Sequence, residues 1–351
     1  MIALEVPGGT TDSDASSVNR SGTVVGTVRF ADGTSRAALW DRDGRYSALR
    51  VPAGFSATAF DISDSDVVTG QVWNGSDQHA VRWGADGEMT VLQSFVEGIY
   101  TYVGSVNRNG ICLGEARALD GRTHAVRWDQ RGRVTDLALP PEGRSSIAGN
   151  INDHDVATGT ASVTIMEWGR AVVWDRDGRV TELPTLGNSA TGKWINNHGV
   201  VVGSSTIPES VHSHPVRWER DGRVTALDLP AGGEFGIAYA VNDNNVAVGL
   251  VDGHAARWDE HGKLVSLEER RSIAMRINGR GVAIGSSDNP SGSIRATLWD
   301  RSGRMTDLGV LPGDVSSGAR SINDSGVVAG WSRGSTGRAV IWKTRTPRAR
   351  W

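Results

Sequence analysis

The chain has one cysteine, Cys112, so no intrachain disulfide can form. It sits in the apolar run ICLG with no activating neighbour, and reads as a buried structural thiol rather than a nucleophile. No apolar run approaches the roughly 18 residues that span a membrane. The chain opens without the basic and apolar regions of a secretory signal, so a cytoplasmic protein is the expectation. Charge of either sign is not in excess: 37 basic against 40 acidic residues leave −3. That balance gathers neither nucleic acid nor an anionic membrane, and neither is expected as a partner. No segment has the 3.6-residue apolar period of a helix. Phosphate loop, nucleophile elbow and dinucleotide fingerprint are all missing, and no cofactor or metal is implied. Phenylalanine and tyrosine are scarce, at five and four.

Against these shortages stand 13 tryptophans, 45 glycines and a repeat. The repeat is clearest in RAVVWDRDGRVTEL, Arg170 to Leu183. Its tryptophan recurs at Trp40, Trp83, Trp128, Trp174, Trp218, Trp258, Trp299 and Trp342, at intervals of 40 to 46 residues. A fixed period of this length decides the architecture, because no unit is large enough to bury a core alone.

Each unit holds four strand signals, here A to D. In the fifth unit they are Ala190 to Ile195, Val200 to Ser204, His214 to Trp218 and Val224 to Leu229. The A–B turn ends on Gly22, Asp66, Gly110, Asp155, Gly199, Asn245, Gly281 and Gly326, residue types that tolerate positive φ. The C–D turn ends on Gly44, Gly87, Gly132, Gly178, Gly222, Gly262 and Gly303, which suits a type I turn with a glycine bulge. Asp41 and Asp175 belong to such turns and not to calcium loops. A glycine near the end of strand B in every unit, such as Gly203, marks a close approach, expected from the strand-C tryptophan or a neighbouring sheet.

Four antiparallel strands repeated eight times predict an all-β fold, an eight-bladed β-propeller. Only seven units have a strand D after them, because Trp342 leads into KTRTPRARW. Met1 to Pro7 (MIALEVP) matches Val224 to Pro230 (VTALDLP). The first strand should therefore complete the last blade and close the ring. The expected organisation is one domain over 1–343, a basic tail over 344–351, and a monomer.

The phrase H/R-A-x-x-W, with strand-B sequences such as INDSGVVAG, resembles the HAF-repeat family of bacterial proteins. The resemblance covers the whole chain. It implies the propeller and carries no common activity.

Repetition also provides a control for function. What recurs in every blade is explained by the fold, and what breaks the pattern needs another reason. The column H/R at His79, His124, His214, His254 and their arginine counterparts recurs, and reads as a structural hydrogen bond or a tryptophan-stacking group. The two residues before the final Ile or Val of strand A do not recur: Ser16-Ser17, Phe60-Asp61, Gly104-Ser105, Gly149-Asn150, Lys193-Trp194, Tyr239-Ala240, Met275-Arg276 and Arg320-Ser321. Small or polar residues are the rule there. Phe60, Asp61, Lys193, Trp194, Tyr239, Met275, Arg276 and Arg320 are outliers, and Asn150 stands among them as a polar candidate. Tyr100 and Tyr102 stand out in the third unit. Trp73 and Trp168, placed on B–C loops, and Trp331, ending a strand B, are surplus to the tryptophan column.

Strand A is innermost in a propeller, so these side chains can enter the channel. The variable D–A and B–C loops mark that face as the expected site. Apolar walls with a few convergent charges suit a small apolar or aromatic molecule, and the cations suggest an anionic group on it. The leading reading is a cofactor-independent cyclase, isomerase or lyase. In it Asp61 or Tyr239 is general acid or base, Lys193 and Arg276 stabilise charge, and Trp194 and Tyr102 form walls. A non-catalytic ligand- or glycan-binding module and a protein-interaction scaffold are the alternatives. A scaffold would carry its outliers on the rim instead.

Overall fold

A computed structural model of the chain describes residues 1–95, 101–163, 169–208, 212–266 and 270–344. Among them 32 strands form eight sheets of four antiparallel strands each, the blades of a ring. No helix among the described residues is long and apolar enough to cross a membrane. In blade 5 the strands are Ala190–Ile195, Val201–Thr206, Ser213–Trp218 and Val224–Ala226. Strand D is shorter than the apolar run VTALDL suggests. Leu227 N still donates to Pro215 O, but Asp228 N turns away to Gly262 O of the next blade. Strand C is thus left with open N–H groups, and serines of the following blade accept them. Ala125 N reaches Ser146 Oγ at 2.8 Å, and Ala339 N reaches Ser13 Oγ at 2.9 Å.

The repeated tryptophans are fully buried in the apolar cores shared by neighbouring blades. Each polar ring edge needs a partner there. Six of the eight donate Nε1 to a carbonyl two residues past the end of the preceding strand D, as Trp218 does to Pro184 O at 2.7 Å. The A–B turns form a second set of ties. Asn196 donates Nδ2 to Asn242 O, Asn242 to Asn278 O, Asn278 to Asn323 O, and Asn323 to Asn19 O, so the belt passes through the junction of last and first blades. All eight residues that end these turns have positive φ.

The ring closes as the strand count requires. Ile2–Ala3 pairs with Gly337–Lys343, placing Ile2 opposite Ile341 and Ala3 opposite Val340. Leu4 is buried, its N–H bonded to Ala339 O, and Glu5 O accepts Trp40 Nε1 at 2.6 Å. The last blade therefore contains both ends of the propeller. Of the tail, residues 345–351 lie outside the described residues.

Candidate functional site

Every strand A changes register with strand B just before its end. The change is a β-bulge, and the pattern-breaking pairs are the residues in it. A bulge releases side chains from strict alternation and re-aims them. The strand-B glycine sits opposite. A Cβ on Gly203 would lie 1.9 Å from Thr191 O, and one on Gly114 would lie 2.0 Å from Tyr102 O. The close approach comes mainly from the carbonyl of strand A in the same blade, with the tryptophan second, at 3.3 Å for Gly203. The neighbouring sheet is not its source.

The second residue of each pair often ties two blades together. Asn150 Oδ1 accepts Ile195 N at 2.6 Å, and Ser321 Oγ accepts Val18 N at 3.2 Å. Asp61 does the same with a carboxylate. Its Oδ2 accepts Val106 N at 3.2 Å, and its Oδ1 accepts Ser17 Oγ at 2.8 Å and Ile62 N at 2.9 Å.

The bulges surround a cavity of about 520 Å³ in the channel. Its wall includes Phe60, Asp61, Tyr102, Asn150, Trp194, Arg276 and Arg320. It draws on the last residues of strand A, and therefore lies toward the A–B turns. The D–A/B–C face expected from loop variability lies at the opposite end of the channel from this cavity. The reason is side-chain size: Ser16-Ser17, Gly104-Ser105 and Gly149-Asn150 leave room on one side, while Trp194 and Arg276 fill the other.

Trp194 and Arg276 belong to blades 5 and 7, yet the guanidinium lies over the indole at 4.7 Å from its centroid. Blade 6 has only Ala240 at the intervening position, and Trp194 packs on the cores on either side of it. Arg276 also donates Nη1 to Met275 O at 2.9 Å. Burial pulls its pKa below the usual arginine value, opposed by the charge of Asp61. Burial pushes the Asp61 carboxyl up, opposed by its three hydrogen bonds and by Arg276. Phe60 and Tyr102 form a tilted pair at 5.4 Å. Arg320 lies 3.9 Å from the buried Asp14.

A second carboxyl, Glu115, also lines the cavity. Burial raises its pKa, against one hydrogen bond from Ala148 N. Sequence comparison missed it because only strand A was compared blade by blade. Its strand-B column reads Thr27, Gln71, Glu115, Thr160, Ser204, Leu250, Ser286 and Trp331, in which Glu115 is the one charge.

Other candidates fall outside this wall. Lys193, Tyr239 and Met275 are the bulge residues of blades 5, 6 and 7 and do not line the cavity. Burial raises the Tyr239 hydroxyl, which keeps it neutral. Trp73 is in strand Val68–Asn74 opposite Ser56, at the far end of the channel and not in a loop. Trp331 lies over Gly318, with Arg333 stacked on it at 5.1 Å. Tyr100 and Trp168 lie outside the described residues. In the H/R column, His124 bonds Asp136 at 3.0 Å and Arg338 pairs with Asp314 at 2.8 Å, so the column makes local polar ties.

No protein-family model matches the chain, and no curated protein does. The HAF-repeat resemblance thus has no independent support. Among solved structures the chain is similar to the β-propeller domain of the Trilobed protease from Pyrococcus furiosus. Identity is 10%, the TM-score 0.54, and coverage 95% of this chain and 96% of that one. That domain has an open velcro topology. The chain is also similar to a puromycin-hydrolysing peptidase of Mycobacterium tuberculosis, at 16% identity and TM-score 0.58, covering 94% of this chain and 61% of that one. A prolyl endopeptidase gives 14% and 0.58 over 92% of this chain and 53% of its own. These likenesses carry the propeller fold and nothing finer.

Proposed function

We propose that the channel cavity binds a small organic anion with an aromatic or apolar body, and that Asp61 and Glu115 exchange protons with it. The chain would then be a cofactor-independent enzyme of the isomerase, cyclase or lyase type. One observation carries this reading: a half-buried carboxyl and a half-buried guanidinium, Asp61 and Arg276, line one cavity together with Phe60, Tyr102 and Trp194, the guanidinium stacked on the indole. Ionisable groups shifted by burial inside a cleft are where acid–base chemistry concentrates. In this reading Arg276, held flat by Trp194, and Arg320 receive the anion, while Phe60 and Tyr102 receive the apolar body. Asp61 and Glu115 hold protons beyond the ordinary carboxylate range. Lys193 and Tyr239 have no part in it.

Calorimetric titration of arylalkanoic acids and their neutral amides tests the binding step. Arg276→Gln should weaken the acids by about tenfold or more and leave the amides unchanged. Proton transfer is tested by proton NMR of the bound acids in D2O. Enzyme-dependent C–H exchange should vanish in Asp61→Asn and Glu115→Gln while binding persists. A second reading, a non-catalytic binder, is favoured by the three hydrogen bonds of Asp61, which do the work Asn150 does in blade 4. Binding without exchange in the unmodified protein would select it.

A further inference from the structure

We infer that the hydroxyl of Ser17 carries the proton between the ligand and Asp61, as a relay that rests on the proton exchange proposed above.

Three blades place a serine just before the last residue of strand A, and the three hydroxyls are used differently. Ser321 Oγ accepts Val18 N at 3.2 Å, the ordinary tie to the next blade. Ser105 Oγ is buried without a hydrogen-bond partner among the described residues. Ser17 Oγ donates to Asp61 Oδ1 at 2.8 Å. By the pattern of Ser321 it would accept the N–H of Ile62, but Asp61 takes that group with its own Oδ1 at 2.9 Å. The hydroxyl is thus released from the tie and turned to a carboxyl. Ser17 is 7% exposed and lies in the wall of the cavity. Its Oγ makes no other hydrogen bond among the described residues, which leaves its lone pairs open to a proton.

The lone pairs of Asp61 decide the route. An ionised carboxyl has about four acceptor sites, shared by its two oxygens. Ser17 Oγ and Ile62 N fill those of Oδ1, and Val106 N takes one on Oδ2 at 3.2 Å. Oδ2 is held to the backbone of blade 3, whereas Oδ1 is held to a hydroxyl in the cavity wall. A proton reaches Oδ1 along the hydrogen bond from Ser17. As a C–H bond of the ligand breaks, its proton goes to Ser17 Oγ and the hydroxyl proton of Ser17 goes to Asp61 Oδ1. The electron pair stays on the ligand carbon, beside the anionic group that Arg276 and Arg320 receive. Transfer in the reverse sense restores the C–H bond, and exchange of the Asp61 proton with solvent in between makes the event visible.

The test is the rate of C–H exchange of phenylacetate in D2O, followed by proton NMR across a pH series with the full chain. Ser17→Ala should lower the highest rate of the series about hundredfold or more, while calorimetry finds phenylacetate bound as before. Ser17→Thr, which keeps a hydroxyl, should recover most of that rate. A hydroxyl that only tunes Asp61 gives a different result. Loss of its hydrogen bond would raise the carboxyl further and move the profile to higher pH with its height kept. Other titratable groups do not imitate this shift. Glu115 takes its hydrogen bond from Ala148 N, Arg276 stays charged, and burial pushes the Cys112 thiol up to about 12. An undiminished highest rate in Ser17→Ala, shifted or not, overturns the relay and assigns direct transfer to Oδ2, with the enzymatic reading intact. Equal loss in Ser17→Ala and Ser17→Thr also overturns the relay. Absence of exchange in the unmodified protein overturns the enzymatic reading and the relay together.

Discussion

Asp61 answers two demands at one position, and they pull its proton in opposite directions. Its oxygens accept three hydrogen bonds that join blades 1, 2 and 3, which favours the charged form. Burial favours the neutral form and prevails. A carboxyl whose folded pKa is raised holds its proton longer in the native state than in the unfolded chain. It therefore lowers stability progressively as pH rises from the ordinary value near ~3.9 through the raised one. Asp61→Asn removes this dependence, so urea unfolding over a pH series should show the variant gaining on the unmodified protein as pH rises. A constant difference would mean that the carboxyl titrates normally. The site was half legible from residues alone. Phe60, Asp61, Trp194 and Arg276 announced themselves by breaking a column. Lys193, Tyr239 and Met275 broke it equally and lie outside the cavity, because departure from the pattern reports release by the bulge and not the direction a side chain then takes. Gly203 shows the complementary case, a residue the bulge allows no freedom. Gly203→Ala would place a methyl on Thr191 O and should cost about 1–3 kcal/mol or more by chemical denaturation.

Turns are the element where local reading succeeded and its purpose stayed hidden. Positive φ at the end of each A–B turn follows from Gly, Asn and Asp. The belt of Asn Nδ2 donors does not, because each partner lies in the next blade, as Asn242 O lies 46 residues beyond Asn196. The belt has a break at Ser63, whose short hydroxyl accepts Val67 N within its own turn and has no amide to send to blade 3. Ser63→Asn should supply the missing donor toward Asn107 O and stabilise the protein by about 0.5–1.5 kcal/mol. A lower unfolding midpoint would show that blades 2 and 3 are spaced differently from the rest. The C–D turns carry an acid-sensitive counterpart. In Asp41, Asp175, Asp221 and Asp259 a backbone N–H of the same turn holds the carboxyl below its usual range. Their contribution is complete above the unfolded value near ~3.9 and is lost as pH falls through the depressed values. Replacing all four by Asn, which keeps an acceptor oxygen, should flatten the fall of thermal stability on the acid side. An unchanged acid profile would assign that fall to other groups.

At the scale of the whole molecule the question is how a linear repeat becomes a ring. Counting strand signals answered it, because eight A–B–C units and seven following D strands leave one strand to be found at the other terminus. The structure adds why so short a strand suffices. Only Ile2–Ala3 forms ladder pairs, but the next two residues repeat joints found between other blades. Leu4 N bonds Ala339 O as Leu227 N bonds Pro215 O, and Glu5 N bonds Gly44 O as Asp228 N bonds Gly262 O. Glu5 O receives Trp40 Nε1 as Asp228 O receives Trp258 Nε1. The first residues thus grip blade 8 with one edge and blade 1 with the other. Asp12 adds to the junction by accepting Gly337 N at 2.8 Å and pairing with Arg29 at 2.7 Å. Deleting residues 1–7 removes the grip while leaving 24 inner strands intact, and it opens the edge of Gly337–Lys343 to other chains. The loss of the buried Leu4 alone is worth about 2–5 kcal/mol, and the orphaned Trp40 Nε1 adds to it. The truncated chain should melt at lower temperature with reduced cooperativity and form oligomers through the free edge, as light scattering across a concentration series would register. A monomeric truncation that melts as cooperatively and as high as the full chain would mean that the Asn belt and the Asp12 contacts close the ring without the strand.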